Sequence, residues 1–182
     1  SVVLRLIREE LLRRGVSEDY IIYMNFESFE WIDMKEAKAL YAHIREATKA
    51  SGKYYILLDE IQEVTDWEKA VNAFLVDLDV DIYVTGSNSR LLSSEFSTYL
   101  AGRYVAFHIM TLSFREYLLF HDLPLTISVS DRKTEFLKYL RMGGFPAIHT
   151  ANYDYNAIYK IVYDIYSSVI LRDTVQRHSI RN

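Results

Sequence analysis

Cysteine is absent from all 182 residues, which excludes disulfides, thiolate metal sites and a cysteine nucleophile. Histidine is sparse: His43, His108, His121, His149 and His178 are scattered, and no pair has the spacing that sets two imidazoles on one helix face. Surface or satisfied core histidines are therefore the plainer reading than metal ligands. No apolar segment is long enough to cross a bilayer and no secretory signal is visible, so a cytoplasmic location is expected, with no membrane partner. A net charge of −4 and a pI near 5.7 argue against a protein that coats nucleic acid, although a local basic patch is compatible with both. There is no internal repeat and no low-complexity tract. What is present is ordinary for a soluble globular protein: 50% hydrophobic and 25% charged residues. The length suffices for one substantial core and a small appendage.

The most informative stretch is Tyr54-Tyr55-Ile56-Leu57-Leu58-Asp59-Glu60. A short apolar run bounded by Gly52 and by two acids reads as a strand buried on both faces. Its acids then lie at the carboxyl end, where open α/β sheets form their ligand crevice. Two uses fit such acids. They cap the next helix, or they serve an Mg-dependent NTPase, the first orienting a metal-bound water and the second polarising the attacking water.

Strand and helix patterns alternate around this run. Leu4, Ile7 and Leu11 recur at helical spacing up to Gly15, and Tyr20 to Phe26 is a β-branched and aromatic strand. Asp33 and Glu36 have capping-box spacing for a helix that buries Ala37, Leu40, Tyr41, Ile44 and Ala47. Another helix begins near Asp66 and carries Trp67, Val71, Phe74, Leu75 and Leu78 on one face. Asp81 to Ser87 is a further strand, Leu92, Phe96, Tyr99 and Leu100 mark a helix, and Tyr104 to Met110 reads as the last strand. Ser113 and Glu116 cap the helix that follows. This alternation predicts an α/β fold with a parallel sheet between helices, because each crossover must return the chain to the same sheet. The core is expected over residues 1–121. Residues 122–133, without clear period, read as a linker. Residues 134–182 read as a small helical domain, with a break at Gly143-Gly144-Phe145-Pro146 and a long helix burying Ile158, Ile161, Val162, Ile165 and Val169.

Two further clusters carry polar chemistry. Thr85-Gly86-Ser87-Asn88 ends a strand at the same sheet edge, where Ser87 or Asn88 suits a phosphate or a helix cap equally. Arg103 follows Gly102 and suits a helix-dipole partner or a cation presented to a nucleotide on a neighbouring subunit. Arg172, Arg177, His178 and Arg181 form a basic cluster better explained as a solvated helix face than as a nucleic-acid contact.

Taken in order, these pieces resemble one branch of the AAA+ ATPases, the prokaryotic AAA ATPase family AAA_14, which usually precedes a C-terminal domain of unknown function called DUF4143. Leu57-Leu58-Asp59-Glu60-Ile61-Gln62 followed by Trp67 is similar to its Walker B segment, Thr85-Gly86-Ser87-Asn88 to its sensor-1 strand, and Leu100-Ala101-Gly102-Arg103 to its arginine-bearing box. Leu112 to Leu118, Gly143 to Pro146 and Leu171-Arg172-Asp173 complete the pattern, which covers essentially the whole chain. The resemblance implies a P-loop NTPase fold with a helical lid, ATP as substrate and Mg²⁺ as cofactor. It implies Asp59 and Ser1 at the metal, Glu60 as activator of water, Ser87 or Asn88 as sensor 1, and Arg103 as an arginine finger acting in a homo-oligomer. A DUF4143-type domain is expected in the same chain.

The pattern is departed from at one place. No Gly-x-x-x-x-Gly-Lys-[Ser/Thr] occurs, so the phosphate-cradling loop is missing. Ser1-Val2-Val3-Leu4 continues as the helix after such a loop does, and the resemblance sets the loop and a first strand upstream of Ser1. That strand would lie between those ending in Ser87 and Met110, and the gap is expected to be filled by a partner chain, rearranged local segments or upstream residues. Without the loop, these residues alone are expected to bind no nucleotide specifically and to hydrolyse none. The alternative is a regulatory or nucleic-acid-associated interaction module independent of nucleotide.

Overall fold

In the computed structural model the described residues are 1–48, 51–86, 102–150 and 154–170. The chain divides into two compact units, Ser1–Val105 and Ala106–Asn182.

Among the described residues the first unit is built on three parallel strands, β1 (Ile21–Asn25), β2 (Tyr54–Asp59) and β3 (Val80–Val84), in the order β1-β2-β3. The apolar run read from sequence is the central strand, with four of its six residues in an unbroken buried stretch, Ile56 to Asp59. Register decides which residues share a face. Ile22, Ile56 and Ile82 align across the sheet, as do Tyr23, Leu57 and Tyr83 on the opposite face. The isoleucine face packs on α2 (Ala37–Ala47) and α3 (Trp67–Asp77), whose Leu40, Ile44, Trp67, Val71 and Phe74 are buried with Met24, Phe26 and Leu58. The other face packs on α1 (Val2–Arg13) through Leu4 and Leu11, which are buried with Ile21 and Leu57. Two successive crossovers of one hand along one direction of the sheet leave both connecting helices on the same side. Each fully buried aliphatic or aromatic side chain contributes about 1.5–3 kcal/mol, so these two interfaces hold the layers together.

Local details differ from the sequence expectations at three places. Asp33 and Glu36 do not form a capping box. Asp33 lies inside a 3₁₀ segment, Phe29–Met34, capped by Ser28, and Glu36 precedes α2 in extended conformation without a side-chain cap. A backbone bridge does the work there: Ala37 N donates to Thr65 O at 3.1 Å and Thr65 N to Lys35 O at 2.9 Å. Second, Tyr104 to Met110 is irregular chain with Val105, Phe107, Ile109 and Met110 exposed. Strand propensity needs a partner ladder to be realised, and no described segment offers this stretch one. Among the described residues β3 pairs with β2 alone. Third, helix begins inside the stretch read as a linker, at Val129, because Ser128 caps it by accepting from Asp131 N at 3.1 Å. The helix expected through Leu92 and Leu100, and the basic cluster at Arg172 to Arg181, lie outside the described residues.

The second unit is helical among the described residues: α4 (Phe114–Phe120), α5 (Val129–Met142), α6 (Pro146–His149) and α7 (Tyr155–Ile170). The capping box at Ser113 and Glu116 is present in full. Tyr117, Leu118, Ile148 and Ile158 form its buried centre. Tyr117 donates to Glu135 Oε2 at 3.0 Å and Tyr139 to Leu112 O at 2.8 Å, so both hydroxyls find acceptors. His149 Nε2 lies 2.8 Å from Gly143 O and must donate, since a carbonyl only accepts. In the neutral ring its Nδ1 then accepts from His121 Nε2, 3.1 Å away.

Candidate functional site

The carboxyl ends of β1, β2 and β3 converge on Asp59, the last residue of the central strand. Asp59 has no exposed surface and is the sole buried charged residue of the described chain. A buried carboxylate needs donors, and three reach it. Tyr23, from β1, donates its hydroxyl to Oδ2 at 2.9 Å. Thr85, just past β3, donates its hydroxyl to Oδ1. The backbone nitrogen of Ser1, at the start of α1, also contacts Oδ2. Burial pushes the Asp59 pKa up, and the hydroxyl bonds from Thr85 and Tyr23 pull it down. The Tyr23 hydroxyl is shifted the other way, upward, by burial and by its bond to the carboxylate.

Glu60 is positioned differently. Its backbone takes the left-handed conformation, φ 54° and ψ 48°, uncommon for a residue with a Cβ. Beyond it a 3₁₀ turn, Ile61–Glu63, is anchored by fully buried Ile61. The turn brings Gln62 Nε2 within 2.6 Å of Glu60 Oε2.

The sequence-derived site residues are thus partly assembled. Ser1, Asp59 and Glu60 meet at one sheet edge. Ser87 and Asn88 lie outside the described residues. Arg103 is exposed and donates to Asn72 Oδ1, in the middle of α3, at 3.0 Å. The sequence alone does not mark Tyr23 or Thr85 as site residues. Thr85 belongs to the Thr85-Gly86-Ser87-Asn88 motif, but nothing in the β1 pattern distinguishes Tyr23 from a core aromatic.

The donor set suits a hydrated Mg²⁺. Oδ2 of Asp59 has two donors and Oδ1 one, so Oδ1 keeps acceptor capacity. No group of three or more His, Cys, Asp or Glu side chains that could hold a metal ion occurs among the described residues. No helix of the described residues is long and apolar enough to cross a membrane.

A three-stranded parallel sheet between helices, with a buried acid at the carboxyl end of its central strand, is the frame of a P-loop NTPase-like domain. Consistent with this, the AAA domain family AAA_14 matches residues 1–118, and the chain belongs to it. The chain is similar to an uncharacterised protein of Haemophilus influenzae, 37% identical over all of this chain and 45% of that protein. It is also similar to an uncharacterised protein of Methanocaldococcus jannaschii, 35% identical over 95% of this chain and 40% of that protein. It therefore spans less than half the length of both relatives. No solved structure matches it significantly. Membership of the family suggests nucleotide binding, typically with Mg²⁺.

Proposed function

We propose that these residues form part of an Mg²⁺-dependent ATPase that attacks the γ-phosphate with water. One observation carries the reading: a buried Asp59, held by the Tyr23 and Thr85 hydroxyls, directly precedes Glu60 at the carboxyl edge of a parallel sheet in an AAA-family chain. Asp59 and Ser1 would hold the hydrated metal, which supplies charge neutralisation on the phosphate oxygens. Glu60 would accept a proton from the attacking water as its oxygen bonds to phosphorus and the bond to the bridging oxygen of ADP breaks. Tyr23 and Thr85 keep Asp59 charged and fixed, and Ser87 or Asn88 would contact the γ-phosphate. The reading takes the glycine-rich loop and its lysine from sequence outside these 182 residues.

The test is Glu60→Gln in the full-length protein. The amide keeps the shape but accepts no proton, so turnover should vanish while calorimetry still shows ATP binding. Steady-state phosphate release within a few-fold of the parent would remove Glu60 from the mechanism.

A further inference from the structure

The ladder between β2 and β3 does not stop at the end of β3. Thr85 N donates to Leu58 O, and Thr85 O accepts from Ile61 N, both at 3.0 Å. One residue thus spans positions 58 and 61, and Asp59 and Glu60 loop out between them. This pins the backbone of Glu60 in its left-handed conformation but leaves several side-chain torsions open.

Gln62 narrows that freedom. Glu63 N donates to Glu60 O at 3.1 Å, a tight turn that brings residue 62 back over residue 60, and Gln62 Nε2 meets Glu60 Oε2 at 2.6 Å. The amide orientation is dictated by the carboxylate, because reversing it would face two acceptors at that distance. As a consequence Gln62 Oε1 is buried with no donor among the described residues.

We propose that Gln62 is a positioning residue that aims the Glu60 carboxylate; the inference rests on the reading of Glu60 as the base. It acts through Glu60 and touches no phosphate itself. In the full-length protein Gln62→Met keeps the length without a donor, and Gln62→Glu keeps the shape with an acceptor in the donor's place. Each should lower kcat about 10–100-fold, the range for a misplaced catalytic group, with KM for ATP and the melting temperature unchanged. If Gln62→Met fails to fold, Gln62→Glu decides alone. A kcat within about two-fold of the parent in either folded variant overturns the proposal, as does a fall in kcat matched by a rise in KM. Glu60→Gln assayed alongside separates the two readings. If it stays active, the role of Glu60 falls and this one with it; if it is dead while the Gln62 variants are active, only Gln62 is misassigned.

Discussion

The Tyr23 hydroxyl donates to the Asp59 carboxylate across 36 residues of sequence, at 2.9 Å, and ties β1 to the one buried charge of the described chain. Tyr23→Phe removes the donor without changing the ring. A hydrogen bond to a charged group contributes about 1.5–3 kcal/mol, so denaturant unfolding should shift by an amount in that range at neutral pH. The difference has a defined pH dependence. The Tyr23 bond favours the ionised carboxylate, so its contribution is complete above about pH 4, where an unfolded Asp is ionised, and is lost as pH falls and Asp59 takes up a proton. The parent and Tyr23→Phe curves should therefore converge on acidification. Parallel curves down to the acid transition would show that the bond does not stabilise the charged form.

In the helical unit the histidine pair makes a second pH dependence, of the opposite chemical type. Burial lowers the His121 pKa, and the neighbouring His149 lowers it further. A base with a depressed folded pKa binds fewer protons folded than unfolded. Its stability contribution is thus present above about pH 6.5 and lost as pH falls from there toward the folded value. A second proton on the pair would also set two N–H groups against each other across the 3.1 Å contact. Amide hydrogen exchange in α4 and α6 should become less protected between pH 7.5 and pH 5 after correction for intrinsic rate. His121→Phe should flatten that change.

Gly144 has no side chain because there is no room for one. A Cβ there would collide with the Leu112 carbonyl and press on Thr111 Oγ1 at 3.0 Å, where Leu112 N already donates to Gly144 O at 2.7 Å. Backbone on the opposing side cannot rotate away as a side chain would. Gly144→Ala should destabilise the helical unit by about 1–3 kcal/mol, measured by urea unfolding. An unchanged midpoint would mean that the loop accommodates the methyl.

Arg103 tests whether the proposed ATPase works across subunits. If Arg103 serves a neighbouring site, Arg103→Ala should lower phosphate release about 10³–10⁵-fold. Mixing it with Glu60→Gln protein should restore part of the activity, because one interface regains both groups. Asn72→Ala, which removes the partner of Arg103 within its own unit, should leave hydrolysis within a few-fold. Full activity from a monomer at all working concentrations rules the role out.

Local patterning in the chain was enough for the three strands, the helices between them and the acid pair at the end of β2. It also determined the Ser113–Glu116 cap. These follow from interactions between near neighbours: periodic burial, and a hydroxyl within one turn of the amide it caps. Tertiary structure alone decided the environment of Asp59, since Tyr23 and Thr85 lie 36 and 26 residues away and reach it only through strand register. It also decided that Glu36 is bridged to Thr65 instead of being capped by Asp33, and that Tyr104 to Met110 forms no strand. The reason is common to all three. A ladder, a bridge or a buried charge is a property of two segments, and one segment's pattern specifies its own conformation but not the partner that satisfies its polar groups.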